Sequence, residues 1–172
     1  MNNKMGTMVR HLLLTLQSFR GMPWFVRVRL IRLSGISVGK STKIEHEFSA
    51  PDCQLSIGER TYINAQLLVE GSGTVRIGAN VRIAPRVSLL TGTHSITDDP
   101  LSRASAQVSF LPVTIEDGCW ICANVTIQPG VTVRSGCVVA SGAVVTRDTE
   151  PNGLYVGVPA LRKSDLPCRQ MA

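Results

Sequence analysis

Ile115-Glu116-Asp117-Gly118-Cys119-Trp120-Ile121-Cys122-Ala123-Asn124-Val125-Thr126-Ile127-Gln128-Pro129-Gly130-Val131-Thr132-Val133 runs on a beat of six. An aliphatic residue opens each hexad (Ile115, Ile121, Ile127, Val133), and the beat continues through Val139 and Val145. Four places after each one falls a small or branched residue: Cys119, Val125, Val131, Cys137 and Ala143. Upstream the same spacing returns as Ile57, Ile63, Val69, Val75 and as Ile77, Ile83, Leu89. Neither the helical period of 3.6 nor simple alternation produces a strict six. A short fixed period is the mark of a repeat architecture.

The residues between the aliphatic positions say what one repeat does. Gly58, Gly78, Asn80, Asp117, Gly118, Asn124, Gly130, Gly136 and Gly142 recur where the chain must turn. Such residues tolerate tight turns and positive φ. Short runs such as Val113-Thr114-Ile115 and Val131-Thr132-Val133 suit strands. One strand and one turn per hexad make one flat side, and three sides make a triangular coil of about eighteen residues. Stacked coils pair backbone to backbone and bury the aliphatic column. Coils are expected at 38–55, 57–76, 77–114, 115–132 and 133–150. The beat stops once, between Leu89 and Ile115, where twenty residues exceed a coil, so a loop insertion is expected at 95–112. An insertion of that size in a regular solenoid is disordered or functional.

At 172 residues one domain is expected. Its organisation reads as a basic amphipathic helical segment at 1–35, a parallel β-helix at 36–152 and a C-terminal turn and tail at 153–172. Cys119 and Cys137 sit at the small inward position and read as buried free thiols of a reducing compartment. The Cys119-x-x-Cys122 spacing suggests a metal or redox pair, but one member falls inward and the other on a turn, so no metal is expected.

Charge is unevenly spread. Residues 1–44 hold eight Lys/Arg and no acid, and the remaining residues hold ten Lys/Arg against twelve acids. Within 9–33 the apolar and basic residues alternate irregularly, and Gly21 and Pro23 split them into two short helices. No uninterrupted apolar run reaches the ~18 residues that a bilayer-spanning helix needs. Two readings stand: the helices cap the open end of the β-helix or pack between subunits, or they form an interfacial anchor. In the anchor, Trp24 and Phe25 lie at head-group level, and Arg27, Arg29 and Arg32 face anionic lipid. A cytoplasmic location, at the inner face of the membrane in the second reading, is expected. There is no groove-reading motif, so no nucleic-acid partner is expected.

Five blocks carry a more specific resemblance: Thr91-Gly92-Thr93-His94; Pro112-Val113-Thr114-Ile115-Glu116-Asp117-Gly118-Cys119-Trp120-Ile121; Gln128-Pro129-Gly130-Val131-Thr132-Val133; Ala140-Ser141-Gly142-Ala143-Val144-Val145-Thr146-Arg147-Asp148; and Val156-Gly157-Val158-Pro159-Ala160. Together they resemble the galactoside and maltose O-acetyltransferase branch of the hexapeptide-repeat acyltransferases, and the related O-acetyltransferases of surface polysaccharide synthesis. The resemblance implies an all-β, left-handed parallel β-helix of about five coils, assembled as a homotrimer with active sites between neighbouring β-helices. It implies acetyl-CoA as co-substrate and a hydroxyl of a saccharide as acceptor, in a surface polysaccharide or its lipid-linked or nucleotide-linked precursor.

The resemblance also assigns roles. His94 is the implied general base, which fits a group that changes charge near neutral pH. Asn64, thirty residues earlier, matches an acceptor-binding asparagine. Trp120 lines the acceptor side of the cleft. Asp98 and Asp99, which no family motif assigns, are candidates to orient His94 or bind sugar hydroxyls, with a solvated loop before Pro100 as the alternative. Ala123 stands where the galactoside enzymes carry a serine near the thioester, and Cys122 replaces the usual glycine, so only backbone N–H groups remain there for the thioester oxygen. Ser141, Gly142, Thr146 and Arg147 match the coenzyme-binding stretch, with Arg162 and Lys163 as partners for its phosphates. Antibiotic acetyltransferases and sugar N-acetyltransferases share the fold and the base. A non-enzymatic β-helix scaffold is the reading from another class.

Overall fold

The computed structural model describes residues 2–50 and 52–168. Residues 169–172 of the expected tail lie outside them. Two helices open the chain, α1 (Asn2–Gln17) and α2 (Trp24–Leu33). The first coil follows with β1 (Ser37–Val38) and β2 (Lys43–Ile44), and the second holds β3 (Gln54–Ile57), β4 (Tyr62–Ile63) and β5 (Leu68–Glu70). The third holds β6 (Thr74–Ile77), β7 (Arg82–Ile83) and β8 (Ser88–Leu90), then throws out β9 (Gly92–Ile96) and β10 (Ala104–Phe110). The fourth is β11 (Val113–Ile115), β12 (Trp120–Ile121) and β13 (Thr126–Ile127), and the fifth is β14 (Thr132–Val133), β15 (Val138–Val139) and β16 (Val144–Val145). β17 (Gly153–Val156) and β18 (Leu161–Asp165) close the chain.

The strands form three parallel faces of a triangular coil. The first face runs β1-β3-β6-β11-β14, the second β2-β4-β7-β12-β15-β17, and the third β5-β8-β13-β16. Registers are unbroken: Ile63 pairs with Ile83, Ile83 with Ile121 and Ile121 with Val139. The inward columns are buried along their length, and Ile44, Ile63, Leu89, Ile115, Ile121 and Ile127 show no more than a trace of surface. Each such side chain contributes about 1.5–3 kcal/mol through burial. The expected coils are thus present, and a sixth begins: the stretch read as a turn and tail puts β17 in register on β15 (Val139 opposite Tyr155), after which β18 turns back antiparallel.

The corners repeat as strictly as the columns. Between the first and second faces the left-handed residue is Ser41, Arg60, Asn80, Gly118, Gly136 and Asn152 in successive coils. Between the second and third it is Glu47, Gln66, Arg86, Asn124 and Gly142. Glycine is obligatory only where coils press closely: a side chain at Gly58 would stand 2.5 Å from the Ala79 nitrogen. The small inward position has its own rule. Thr42 Oγ1 donates to the Gly58 carbonyl and Thr61 Oγ1 to the Gly78 carbonyl. At the same place in later coils the Cys119 thiol donates to Arg134 and the Cys137 thiol to Glu150. Burial pushes the Cys119 thiol up to about 12, so it stays an inert donor. Among the described residues no group of three or more His, Cys, Asp or Glu is arranged to hold a metal ion.

The N-terminal helices cap the first coil, α2 lying over β1 and β2. Here the structure corrects the lipid-facing reading of Arg27. Arg27 is buried, and its guanidinium donates to the carbonyls of Gln17 (2.8 Å), Phe19 (2.8 Å) and Ile44 (3.3 Å). Arg32 is exposed and donates to the carbonyls of Val38 and Gly39. The Ile44, Val38 and Gly39 carbonyls lie at the open end, where no further coil can satisfy them, and those of Gln17 and Phe19 lie at the end of α1. On α1 the sidedness is inverted: Leu14 and Gln17 are buried, while Met8, Val9, Leu12 and Leu16 are exposed. No helix among the described residues is long and apolar enough to cross a membrane.

Candidate active site

The insertion is an ordered hairpin rather than an open loop. β9 and β10 pair antiparallel, with Gly92 opposite Phe110 and His94 opposite Val108. The hairpin leaves the corner between the third and first faces, where the Thr91 carbonyl accepts the Leu111 N–H. Thr91 Oγ1 locks this root by donating to the Glu70 carbonyl and accepting from the Gly73 N–H.

His94 is exposed, and its Nδ1 lies 2.7 Å from the Ser105 carbonyl oxygen across the hairpin. A carbonyl can only accept, so this contact puts the ring proton on Nδ1 and leaves the Nε2 lone pair free. The orienting partner is therefore a backbone oxygen. Asp98 and Asp99, read as candidates for that task, sit at the hairpin tip: the Asp99 carboxylate accepts the Leu101 N–H at 2.9 Å, and the Asp98 carbonyl accepts from Arg103.

The remaining site residues separate by corner. Thr146 and Arg147 follow β16 at the corner that carries the hairpin, two coils beyond Leu90 and Thr91, or about 10 Å along the stack. Both are exposed. Asn64, Ala123, Ser141 and Gly142 line the corner between the second and third faces. The Asn64 side-chain oxygen accepts the Ala65 N–H at 2.8 Å, which fixes the amide and leaves its NH2 group outward. Cys122 is half-buried there; burial raises its thiol's pKa, and a hydrogen bond with Ser141 opposes that shift. Trp120 stands on the second face with half its surface open (53%), between Arg82 and Val138 in the ladder. Within one chain, the His94 edge and the Asn64 edge are thus different edges of the prism.

Arg162 is exposed but already engaged: its Nε and Nη2 bind Asp165, its Nη1 donates to the Glu150 carbonyl and its Nη2 to the Pro151 carbonyl, and its guanidinium lies over Tyr155. It pins β18 against the last coil. Lys163, the next residue along, is exposed.

Two features escape a reading by hexads. Ser105 acts through a main-chain oxygen, which no residue type announces. Lys43, Tyr62, Arg82 and Trp120 form one outward ladder on the second face, with Lys43 opposite Tyr62, Tyr62 opposite Arg82 and Arg82 opposite Trp120. Their sequence spacings of 19, 20 and 38 were the available signal.

With this geometry in hand, comparison with known proteins is informative. The profile of the bacterial transferase hexapeptide (six repeats) family matches residues 112–147. The galactoside O-acetyltransferase of Escherichia coli is 34% identical over 134 residues, which are 77% of this chain and 65% of that enzyme. The chain spans between about half and two thirds of the length of the first curated relatives it matches. A hexapeptide-repeat acetyltransferase of Vibrio cholerae, solved with acetyl coenzyme A, superposes with a TM-score of 0.82 at 27% identity, covering 96% of this chain and 89% of the other. A galactoside acetyltransferase solved with coenzyme A gives 0.76 at 26% identity, covering 95% and 82%. The chain thus carries the bacterial transferase hexapeptide repeat over 112–147 and is similar, in sequence and in fold, to hexapeptide-repeat acetyltransferases that include galactoside and maltose O-acetyltransferases.

Proposed function

We propose that the protein transfers an acetyl group from acetyl-CoA to a hydroxyl of a saccharide, in a surface polysaccharide or its lipid-linked or nucleotide-linked precursor. The observation that carries this reading is the His94 ring, held by the Ser105 carbonyl with Nε2 free. In the reaction Nε2 takes the acceptor hydroxyl proton as that oxygen attacks the thioester carbonyl. The tetrahedral intermediate collapses, the C–S bond breaks, and the proton passes from Nε2 to the departing sulfur, leaving an acetyl ester and free CoA. Backbone N–H groups at Ala123 and Ser141 are suited to the developing oxyanion. Thr146, Arg147 and Lys163 are suited to the coenzyme.

A homotrimer is part of the proposal. The base and the coenzyme residues Thr146 and Arg147 lie on one edge of the prism, Asn64 and Ala123 on another. A three-fold arrangement brings one edge of a chain against the other edge of its neighbour. The hairpin supports this with apolar surface that a lone chain leaves in water, Ile96 (87% exposed) and Leu101 (95%) above all. Contact with the inner face of a membrane is supported by the exposed Met8, Val9, Leu12 and Leu16 on α1, without the help of the buried Arg27.

The test is acetyl-CoA-dependent thiol release across a panel of sugars, glycans and antibiotic alcohols, with light scattering for the assembly. Turnover with a saccharide, by a trimer, is expected. No turnover with any acceptor, together with no acetyl-CoA binding by calorimetry, overturns the reading. For the membrane, co-sedimentation with anionic vesicles is expected to fall when Leu12 and Leu16 are changed to Ser, and equal sedimentation excludes that contact.

A further inference from the structure

The second face carries a groove that the proposed chemistry does not use. It is about 520 Å³ in volume and is lined by Ser41, Lys43, Arg60, Tyr62, Asn80 and Arg82 among others. It lies between the corner of Ser41, Arg60 and Asn80 and the centre of the face. Parallel pairing makes Arg82 the immediate neighbour of both Tyr62 and Trp120, so the groove abuts the indole at one ladder step, about 4.8 Å.

Its charges are not all equally available. Arg60 is held by the Asn80 side chain and paired with Glu59. Glu45 reaches the Tyr62 hydroxyl, and this hydrogen bond adds to burial and charge in holding that phenol above its ordinary range. Lys43 and Arg82 are different. Lys43 lies over the Trp24 ring, with 5.3 Å to its centroid, and makes no ion pair among the described residues. Among the described residues the Arg82 guanidinium is anchored by one hydrogen bond, Nη1 to the Arg60 carbonyl at 2.9 Å, and makes no ion pair. That single tether fixes the direction of the planar fork and leaves its other N–H groups free. Two cations on one face, one of them a pre-aimed guanidinium, with Tyr62 between them in the ladder, form a receptor for a tetrahedral or planar anion.

On the proposed acetyl transfer, with Trp120 on the acceptor side of the cleft as the family resemblance implies, we propose that this groove is an acceptor subsite for an anion. The acceptor carries a phosphate or pyrophosphate close to the hydroxyl that is acetylated. Lys43 and Arg82 bind it, and they determine specificity without touching the reacting atoms. The chemistry is shared by a nucleotide-linked and a lipid-linked sugar, and both are arms of the test.

The experiment uses the full chain and two readouts. Calorimetry with inorganic pyrophosphate is expected to give a binding heat that Arg82→Gln and Lys43→Gln each weaken about ten-fold or more, the effect of losing a charge-assisted contact. Pyrophosphate is expected to compete with the acceptor and not with acetyl-CoA. Kinetics then compare methyl galactoside, galactose 1-phosphate, UDP-galactose and a polyprenyl pyrophosphate galactose in detergent. Arg82→Gln is expected to raise KM for the phosphorylated acceptors about ten-fold or more, with kcat, the KM for acetyl-CoA and the methyl galactoside values unchanged. UDP-galactose working alone assigns the nucleotide source, and the polyprenyl acceptor working alone the lipid source. Equal kcat/KM for phosphorylated and neutral acceptors, with Arg82→Gln silent on both, overturns the subsite. If no acceptor turns over, the acetyl-transfer reading fails by itself, and absence of a pyrophosphate heat still decides the subsite independently.

Discussion

The coil interior and the hairpin use the same backbone in opposite ways. Inside the coils, side-chain placement follows from the period: Ile63, Ile83, Ile121 and Val139 stack because each lies one turn from the next. In the hairpin no column exists, and order comes from cross-strand pairs and the bonds at Thr91. Apolar residues point out rather than in, as Ile96 and Leu101 do. The interior is sealed and repetitive, and so are its energetics. The hairpin is exposed and singular, and the proposed base, His94, stands there. On that proposal the difference separates two kinds of consequence: damage inside costs stability, and damage to the hairpin costs chemistry.

The largest expected effect tests the chemical half of that contrast. His94→Ala is expected to lower kcat about 10²–10⁴-fold, the usual contribution of a general base, while the melting temperature stays that of the parent. A large fall in melting temperature with it would mean that the hairpin also holds the fold. The structural half is tested by Ile121→Ala. A cavity under β12 is expected to cost about 2–5 kcal/mol in denaturant unfolding, with the KM values of the remaining folded protein unchanged.

A smaller effect lies on the surface between the two. The hydrogen bond from Arg134 and the Ser135 N–H hold the Glu116 carboxyl below its ordinary range. A group depressed in the folded state stabilises above the unfolded value, near ~4.3, and loses that contribution as pH falls through the lower folded value. Glu116→Gln is therefore expected to melt slightly below the parent at pH 7, and the gap is expected to close as the pH is taken below 4. A gap that stays constant with pH would assign the loss to packing instead.

The sequence announced the interior and concealed the surroundings. Every aliphatic residue of the six-residue beat from Ile57 onward, with Cys119 and Cys137 four places after theirs, lies buried as the period required. A column is a local rule repeated, and local rules are legible. The lipid-facing assignment of Arg27 failed because an arginine on a basic helix looks the same whether it meets lipid or a layer of unpaired carbonyls. The engagement of Arg162 by Asp165 and the Glu150 carbonyl was equally illegible. The sixth turn was missed because Gly153–Val156 keeps the strand without keeping the hexad. The partner of the His94 ring, Ser105, was not legible, because it contributes through an atom common to all residues.

The closing of both ends has a consequence of its own. A parallel β-helix presents unpaired strands at its first and last turns, and nothing in its interior limits the number of turns. Two identical open ends would stack chain upon chain in the same register that stacks coil upon coil. In this protein α2 covers β1 and β2 at one end, with Arg27 and Arg32 engaging the carbonyls, and β18 folds back beside the last strand of the second face at the other. The caps convert what would otherwise be a protofilament into a particle of defined length. Lateral contact between prisms then remains the route open to assembly, and on this proposal that is where the active sites lie.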